Sequence, residues 1–331
     1  MFGKLLFKPK VSLIPGPTPL EYLDKLSRKT GVDIFVKRDD VMPLAFGGNK
    51  VRKLEYIFGD IQSKDIDTVI TTGAFHSNHA RLTAAASAKL GYRCILVLYP
   101  PGGHDIQGNL LLDKLLNAEV VAIDKDEDAY RKMVEVAEKV IMEGGKPYII
   151  PGGGASPIGV YGYAEALYEI LTQLKALGRK PTHIIHATGT GATQAGLILG
   201  MKLLGIEDIE VIGVSVGSPE NIMKERVARH VNNSAETLKL DLNYKADEVV
   251  IHDEYTFGGY AVITKEVVET IKEAASRYGL ILDPVYTAKA FYALKDLIKK
   301  GEIRNGATVV YIHTGGTPIN FQYNHILKKY L

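Results

Sequence analysis

The sequence predicts an α/β protein of two domains, each an open, twisted, mostly parallel sheet flanked by helices. Three observations carry this. From residue 68 onward, short β-rich runs alternate with longer amphipathic stretches. The short runs are continuously apolar instead of alternating, as strands buried on both faces must be. Strand–helix repeats of this kind build parallel sheets, because parallel neighbours require a crossover between them.

The elements follow in order. TVITTG (68–73), CILVLY (94–99), EVVAID (119–124) and PYIIPG (147–152) are the expected strands of the first sheet, separated by helical patterns over 78–90, 107–117 and 127–144. A helix over 158–178 opens a second series. It continues with strand THIIHAT (182–188), a helix over 192–205, strand EVIGVSVG (210–217) and a last strand, ATVVYIHTG (307–315). PGGGASPIG (151–159) is the densest cluster of turn residues and marks a boundary or hinge. In open sheets of this type ligands sit beyond the carboxyl ends of the strands, so the loops that follow strands are where chemistry is sought.

Composition narrows the function classes. The 331 residues are 46% hydrophobic and 24% charged, with a net charge of +2 and both signs interspersed, so nothing calls for nucleic acid. The longest apolar runs fall far short of the ~20 residues that span a bilayer. The apolar patch within residues 1–10 is too short for a signal-peptide core, and a soluble, cytoplasmic protein is expected. The single cysteine, Cys94, excludes an intramolecular disulfide framework and a cysteine-rich zinc site, and its place in CILVLY fits a small core residue.

The segment 46–61, FGGNKVRKLEYIFGDI, has two glycines, an asparagine suited to capping and then a helical pattern. Lys50 shares its stripe with Leu54, Ile57 and Ile61, so a charged amine points toward the core face. Either its stem snorkels to water, or it is a Schiff-base lysine activated by desolvation and the positive end of its helix. HATGTGATQAG (186–196) joins a strand to a helix, and its small residues and threonines suit a phosphate cradle. The competing dinucleotide fingerprint would need glycine at Gln194 and an acidic residue near the end of the next strand. A tight turn with no ligand is the plainer alternative. AFHSNHA (74–80) is a second strand-to-helix junction, where Ser77 and Asn78 can cap the helix or yield its amides to a carboxylate. His76 and His79 have no acidic or cysteine neighbour in sequence, so no metal site is expected. LILDPVYTAKAF (280–291) and YIHTGGTP (311–318) read as two further strand ends.

In this order GGNK, SNH, TGTGATQAG, DPVYTAKA and IHTGG strongly resemble the fold-type II pyridoxal phosphate enzymes, the tryptophan synthase β-like group. Within it they resemble the 1-aminocyclopropane-1-carboxylate (ACC) deaminase and D-cysteine desulfhydrase family, from KRDD (37–40) to Gly316. The resemblance implies a homodimer in which residues 1–47 and 160–331 form a large domain and 48–159 a smaller one inserted within it. It implies that Lys50 holds the cofactor aldehyde, that Asn78 bonds the cofactor's 3′ oxygen, and that Gly189, Thr190, Gly191, Ala192 and Thr193 cradle its phosphate. Ser77, Asn78 and His79 would face a small amino-acid substrate, with Ser77 a nucleophile or proton carrier and Tyr286 beside the reacting carbon. Deaminases of the family carry a glutamate where this chain has Thr287, and an apolar residue at Thr314. Desulfhydrases carry threonine at both, which leaves the pyridine nitrogen largely unprotonated. The expected reaction is therefore conversion of D-cysteine to pyruvate, hydrogen sulfide and ammonia. The alternatives are ACC deamination to 2-oxobutyrate and ammonia, or a lyase for another β-substituted amino acid. From other classes, a noncatalytic binding protein or a nicotinamide oxidoreductase fits less well, given Lys50 and Gln194.

Overall fold

A computed structural model describes residues 2–101, 105–124 and 128–330. Its larger sheet contains β1 (Leu20–Tyr22), β2 (Asp33–Arg38), β7 (His183–Thr188), β8 (Glu210–Ser215), β9 (Val250–His252) and β10 (Thr308–His313). Their order is β1-β2-β10-β7-β8-β9, parallel except for β1. The second sheet contains β3 (Thr68–Ala74), β4 (Arg93–Tyr99), β5 (Glu119–Ala122) and β6 (Pro147–Ile150) in the all-parallel order β5-β4-β3-β6. Its strands enter the chain between β2 and β7. Every residue of β3 and of β10 is buried, which is why these runs lack alternation.

The longer helices are α1 (Lys50–Gln62), α2 (Asn78–Leu90), α3 (Gly108–Leu115), α4 (Ala129–Met142), α5 (Pro157–Ala176), α6 (Ala192–Leu204), α7 (Glu220–Thr237), α8 (Lys265–Tyr278) and α9 (Thr287–Lys300). The apolar patterns locate the first six to within about two residues at each end. The start expected for α4 at residue 127 lies outside the described residues; Asp128 caps the helix that is seen. The strand expected over 210–217 stops at Ser215, whose hydroxyl accepts the Ser218 amide and turns the chain. LILDP is not a strand. Leu280 and Leu282 are buried, but Asp283 accepts the Val285, Tyr286 and Thr287 amides, and these bonds coil the segment into a turn ahead of α9. None of the described helices is long and apolar enough to cross a membrane.

Helix α1 ties the two sheets together. Leu54, Ile57 and Ile61 pack with Val69, Leu82 and Ile150 in the core of the smaller sheet. The opposite face of α1 meets α5 at Gly162, where an added Cβ would stand 2.2 Å from the Arg52 carbonyl oxygen, so only glycine permits the contact. Arg52 then reaches a buried cluster. Its guanidinium bonds both carboxylate oxygens of Asp39 and both of Glu169 at 2.8–3.0 Å, and Lys37 bonds Glu169 at 2.5 Å. Burial alone would push the Asp39 carboxyl up, but Arg52 beside it holds it below the ordinary carboxylate value. Two cations and two anions balance here, and removing one partner of such a set costs about 3–5 kcal/mol. The KRDD motif is thus the anchor that fixes α1, and with it Lys50.

Candidate functional site

A cavity of about 710 Å³ lies at the carboxyl ends of strands from both sheets. Lys50, Ser77, Asn78, His79, Gly189, Thr190, Gly191, Thr193, Tyr286 and Thr314 all line it. Ala192 and Thr287 do not: each is fully buried behind the wall. Thr287 is committed to Asp283, donating its hydroxyl proton to the carboxylate and accepting the Asp283 amide, both at 2.7 Å. A hydroxyl with its one proton spent has none to offer a ligand. Of the two threonines, Thr314 is the one that opens on the cavity, while Thr287 is held behind it by Asp283.

Lys50 is the first residue of α1, and among the described residues its Nζ reaches only Asn49 Oδ1, at 3.3 Å. Burial without a carboxylate pulls the amine down to about 8. Asn49 does not cap α1 as its type suggests; its side-chain amide instead crosses to Thr193 Oγ1 at 3.0 Å. One turn on, Lys53 is fully buried, and its one bond among the described residues is a long one, to the Gly153 carbonyl at 3.4 Å. Burial, then the charge of Lys50, draws Lys53 well below an ordinary lysine. Gly153 packs against Thr190, where a built Cβ would lie 2.7 Å from the threonine methyl, so this amine, with no carboxylate partner among the described residues, lies close to the cradle.

Helix α6 begins without a capping side chain, at Gly191 with φ +84°. Among the described residues no backbone acceptor takes the amides of Gly189 to Thr193. The carbonyls of Gly189 and Thr190 are meanwhile bound from α7, by Arg226 Nη1 and His230 Nε2, each at 3.1 Å. Free amides, the helix dipole and a neighbouring buried lysine that an anion would return to its charged form fit a phosphate group. Gln194 shows why the dinucleotide reading fails: its side chain is buried over Gly213 and donates to the Val211 and Val250 carbonyls.

The pyridoxal-phosphate dependent enzyme family model matches residues 11–315. The chain belongs to that family. It is 46% identical over 325 residues to a Pyrococcus abyssi protein named "Putative 1-aminocyclopropane-1-carboxylate deaminase", covering 98% of this chain and 96% of that one. A Pyrococcus horikoshii protein of the same name is 45% identical, with coverage of 100% and 99%. A solved structure titled as the ACC deaminase homologue superposes with a TM-score of 0.92 at 44% identity, over 100% of this chain and 98% of that chain. The L-serine ammonia-lyase from Rhizomucor miehei shares the fold, with a TM-score of 0.67 at 19% identity over 95% and 97% of the two chains.

Opposite the cradle, Ser77 caps α2, its Oγ accepting the Ala80 amide at 3.1 Å. The Ser77 proton remains available to the cavity. His79 bonds Thr71 through Nε2 at 2.9 Å, and burial keeps it neutral. Asn78 Oδ1 accepts from Asn109 at 2.9 Å. Tyr286 meets Tyr260 hydroxyl to hydroxyl at 2.5 Å, Tyr260 meets His76 Nε2 at 3.0 Å, and His76 Nδ1 meets Tyr323 at 2.9 Å. Burial raises both cavity phenols above their ordinary value and lowers His76 to about 4, so the chain is neutral at pH 7. Sequence reading misses Lys53, Tyr260 and the hub role of His76. Lys53, at i+3 from Lys50, carries a usable signal. Tyr260 carries none beyond the glycine pair before it, because its partners lie 26 and 184 residues away.

Proposed function

We propose that this protein is a deaminating lyase that acts on a small amino acid by β-elimination, with D-cysteine the leading candidate. D-Cysteine and water would give pyruvate, hydrogen sulfide and ammonia. One observation carries the reading. Among the described residues no aspartate or glutamate lines the cavity, whereas Thr314 does, so no carboxylate in the lining is at hand to keep a pyridine nitrogen protonated. Pyridoxal phosphate, when bound, supplies an electron sink for the bond broken at the α-carbon. A sink without a carboxylate is shallower and suits a good leaving group such as a thiol better than a strained carbon–carbon bond.

In this proposal the amides of residues 189–193 and the Thr190 and Thr193 hydroxyls would hold the cofactor phosphate, with Lys53 adding its charge from behind the cavity wall, and Lys50 Nζ would hold the aldehyde carbon. Asn78 holds the 3′ oxygen. The substrate carboxylate is bound at the loop of Ser77, Asn78 and His79. Lys50 would also be the base for the α-proton, a role its lowered pKa allows near neutral pH. Ser77 and the neutral pair Tyr286–Tyr260 have protons to give to the departing group. The homodimer implied by the sequence resemblance belongs to the same proposal.

The names of the Pyrococcus relatives favour a second reading, ring opening of ACC to 2-oxobutyrate and ammonia. Product assays decide between the two. The cofactor-loaded protein is given D-cysteine, L-cysteine or ACC, and pyruvate, sulfide and 2-oxobutyrate are measured beside Lys50→Ala. Pyruvate with sulfide from D-cysteine, lost in the variant, supports the first reading. 2-Oxobutyrate from ACC alone overturns it in favour of the second.

A further inference from the structure

Lys289 lies three residues past Tyr286, in the first turn of α9, and is fully buried. Its ammonium donates to the carbonyl oxygens of Thr256 and Gly259, both at 2.8 Å, with Val216 at 3.4 Å. No ion pair involving Lys289 occurs among the described residues. Burial lowers this amine to about 8 and the Asp283 charge partly offsets that, but every hydrogen bond found for it among the described residues goes to a backbone carbonyl and none to a carboxylate.

Two of the three carbonyls belong to residues 256–261, a segment held in an unusual shape. Phe257 (φ 53°) and Ala261 (φ 60°) are non-glycine residues in the left-handed region, and Gly258 (φ 99°), Gly259 (φ 139°) and then Tyr260 lie between them. Such conformations persist only where the surroundings over-determine them. Tyr260 is pressed on Gly217, whose added Cβ would stand 2.7 Å from the tyrosine Cβ. Lys289 binds on both sides of that contact, at Val216 and at Thr256 and Gly259.

We propose that Lys289 is a positioning residue, a built-in cation that fastens the strap 256–261 to the end of β8 and so sets the Tyr260 hydroxyl against Tyr286. The assignment rests on the proposed use of the Tyr286–Tyr260 pair in turnover. Lys289 itself stays behind the cavity wall. Its removal misplaces Tyr260 without disturbing the phosphate cradle, and a misplacement of about 1 Å is enough to cost on the order of 100-fold in rate.

The experiment compares Lys289→Met and Lys289→Ala with the parent enzyme, all cofactor-loaded, using whichever amino acid the parent turns over. Lys289→Met is expected to lower kcat by on the order of 100-fold, with little change in KM or in the visible absorbance of the bound cofactor. Hydrogen exchange of the 256–261 amides is expected to quicken while that of β7 and β8 does not. Ammonium chloride is expected to restore part of the kcat of Lys289→Ala, and tetramethylammonium chloride, too large for the vacated space, is not. Unchanged exchange in the strap overturns the proposal. Faster exchange throughout the large sheet, with no rescue by ammonium, overturns it in favour of a purely structural lysine. Tyr260→Phe separates the two levels: parental kcat in that variant sinks the role of the tyrosine pair, while the exchange of the strap in Lys289→Met still judges the clasp.

Discussion

Helices α2 and α6 both begin where a strand ends at the cavity, but they begin differently. Helix α6 starts at Gly191 with no side-chain cap and leaves the amides of residues 189–193 without backbone acceptors. Helix α2 starts at Ser77, whose hydroxyl already accepts the Ala80 amide. An uncapped N-terminus is a standing cost that an anion removes, whereas a capped one is complete without a ligand. The contrast fits a resident group at α6, bound throughout, and a passing one at α2, where the fold must stand empty between turnovers. It also fits Lys53, whose amine burial draws well below an ordinary lysine and which an anion beside it would return to the charged form.

Ser77 tests the α2 side with the largest effect. Loss of a cap costs about 1 kcal/mol of stability and leaves chemistry alone. Loss of a proton carrier costs about 10²–10⁴-fold in rate. Ser77→Ala is expected to do both, with Ser77→Thr retaining the cap and most of the activity. If thermal unfolding shows the stability loss while kcat stays within a few-fold of the parent, Ser77 is only a cap and the contrast with α6 weakens.

Gly191 tests the other side. Its φ of +84° and the Val227 methyl 3.0 Å from a built Cβ leave no easy place for a side chain. Gly191→Val should displace at least one amide from the cofactor phosphate. A charge-assisted hydrogen bond is worth about 1.5–3 kcal/mol, so cofactor affinity should fall by roughly 10- to 150-fold in a titration of the cofactor-free protein. Affinity unchanged within a factor of two would mean that the amides are not the phosphate ligands.

Lys50, between the two junctions, supplies a pH test. Capture of an aldehyde needs the neutral amine, and burial lowers this lysine from 10.5 to about 8. The rate of cofactor loading into the cofactor-free protein should therefore rise up to about pH 8 and then level off. An ordinary lysine would keep accelerating toward 10.5. The sign for stability follows from the same shift. The unfolded chain holds this proton more tightly, so the cost to the cofactor-free fold is full below about pH 8 and fades as the pH climbs toward 10.5. A loading rate still rising at pH 10 would show Lys50 to be solvated like a surface lysine.

What was legible in the sequence follows from how local each cause is. The buried strands from β3 onward, the small-residue start of α6 and the lysine in the α1 stripe are set by residues within one turn of one another, so pattern and composition reveal them; β2 (Asp33–Arg38), a buried strand ending in the charged residues Lys37 and Arg38, is passed over. The misreadings are tertiary. LILDP has the apolar content of a strand, but the Asp283 carboxylate gathers three following amides and curls it. Asn49 has the residue type of a cap, but a threonine 144 positions away claims its amide. The edge strands β1 and β9 have three residues each, too few for any period to show. Tyr260 depends on a strap whose shape is imposed by the clasp of Lys289.

Thr287 and Thr314 give the smallest and most discriminating test, because they look equivalent in sequence and differ in space. Thr314 opens on the cavity; Thr287 is turned to Asp283, which burial already raises above an ordinary carboxyl. Thr287→Val should cost about 1–3 kcal/mol of stability by stripping a buried carboxyl of a donor, with little change in the absorbance of the bound cofactor. Thr314→Val should do the reverse, leaving unfolding nearly unchanged while shifting that absorbance and lowering kcat a few-fold. Were Thr287→Val the variant that altered the absorbance, the cofactor ring would have to reach past the wall that Thr287 forms with Asp283. The desulfhydrase reading would then rest on Thr287 after all, and Thr314 would lose its claim as the hydroxyl that replaces the carboxylate.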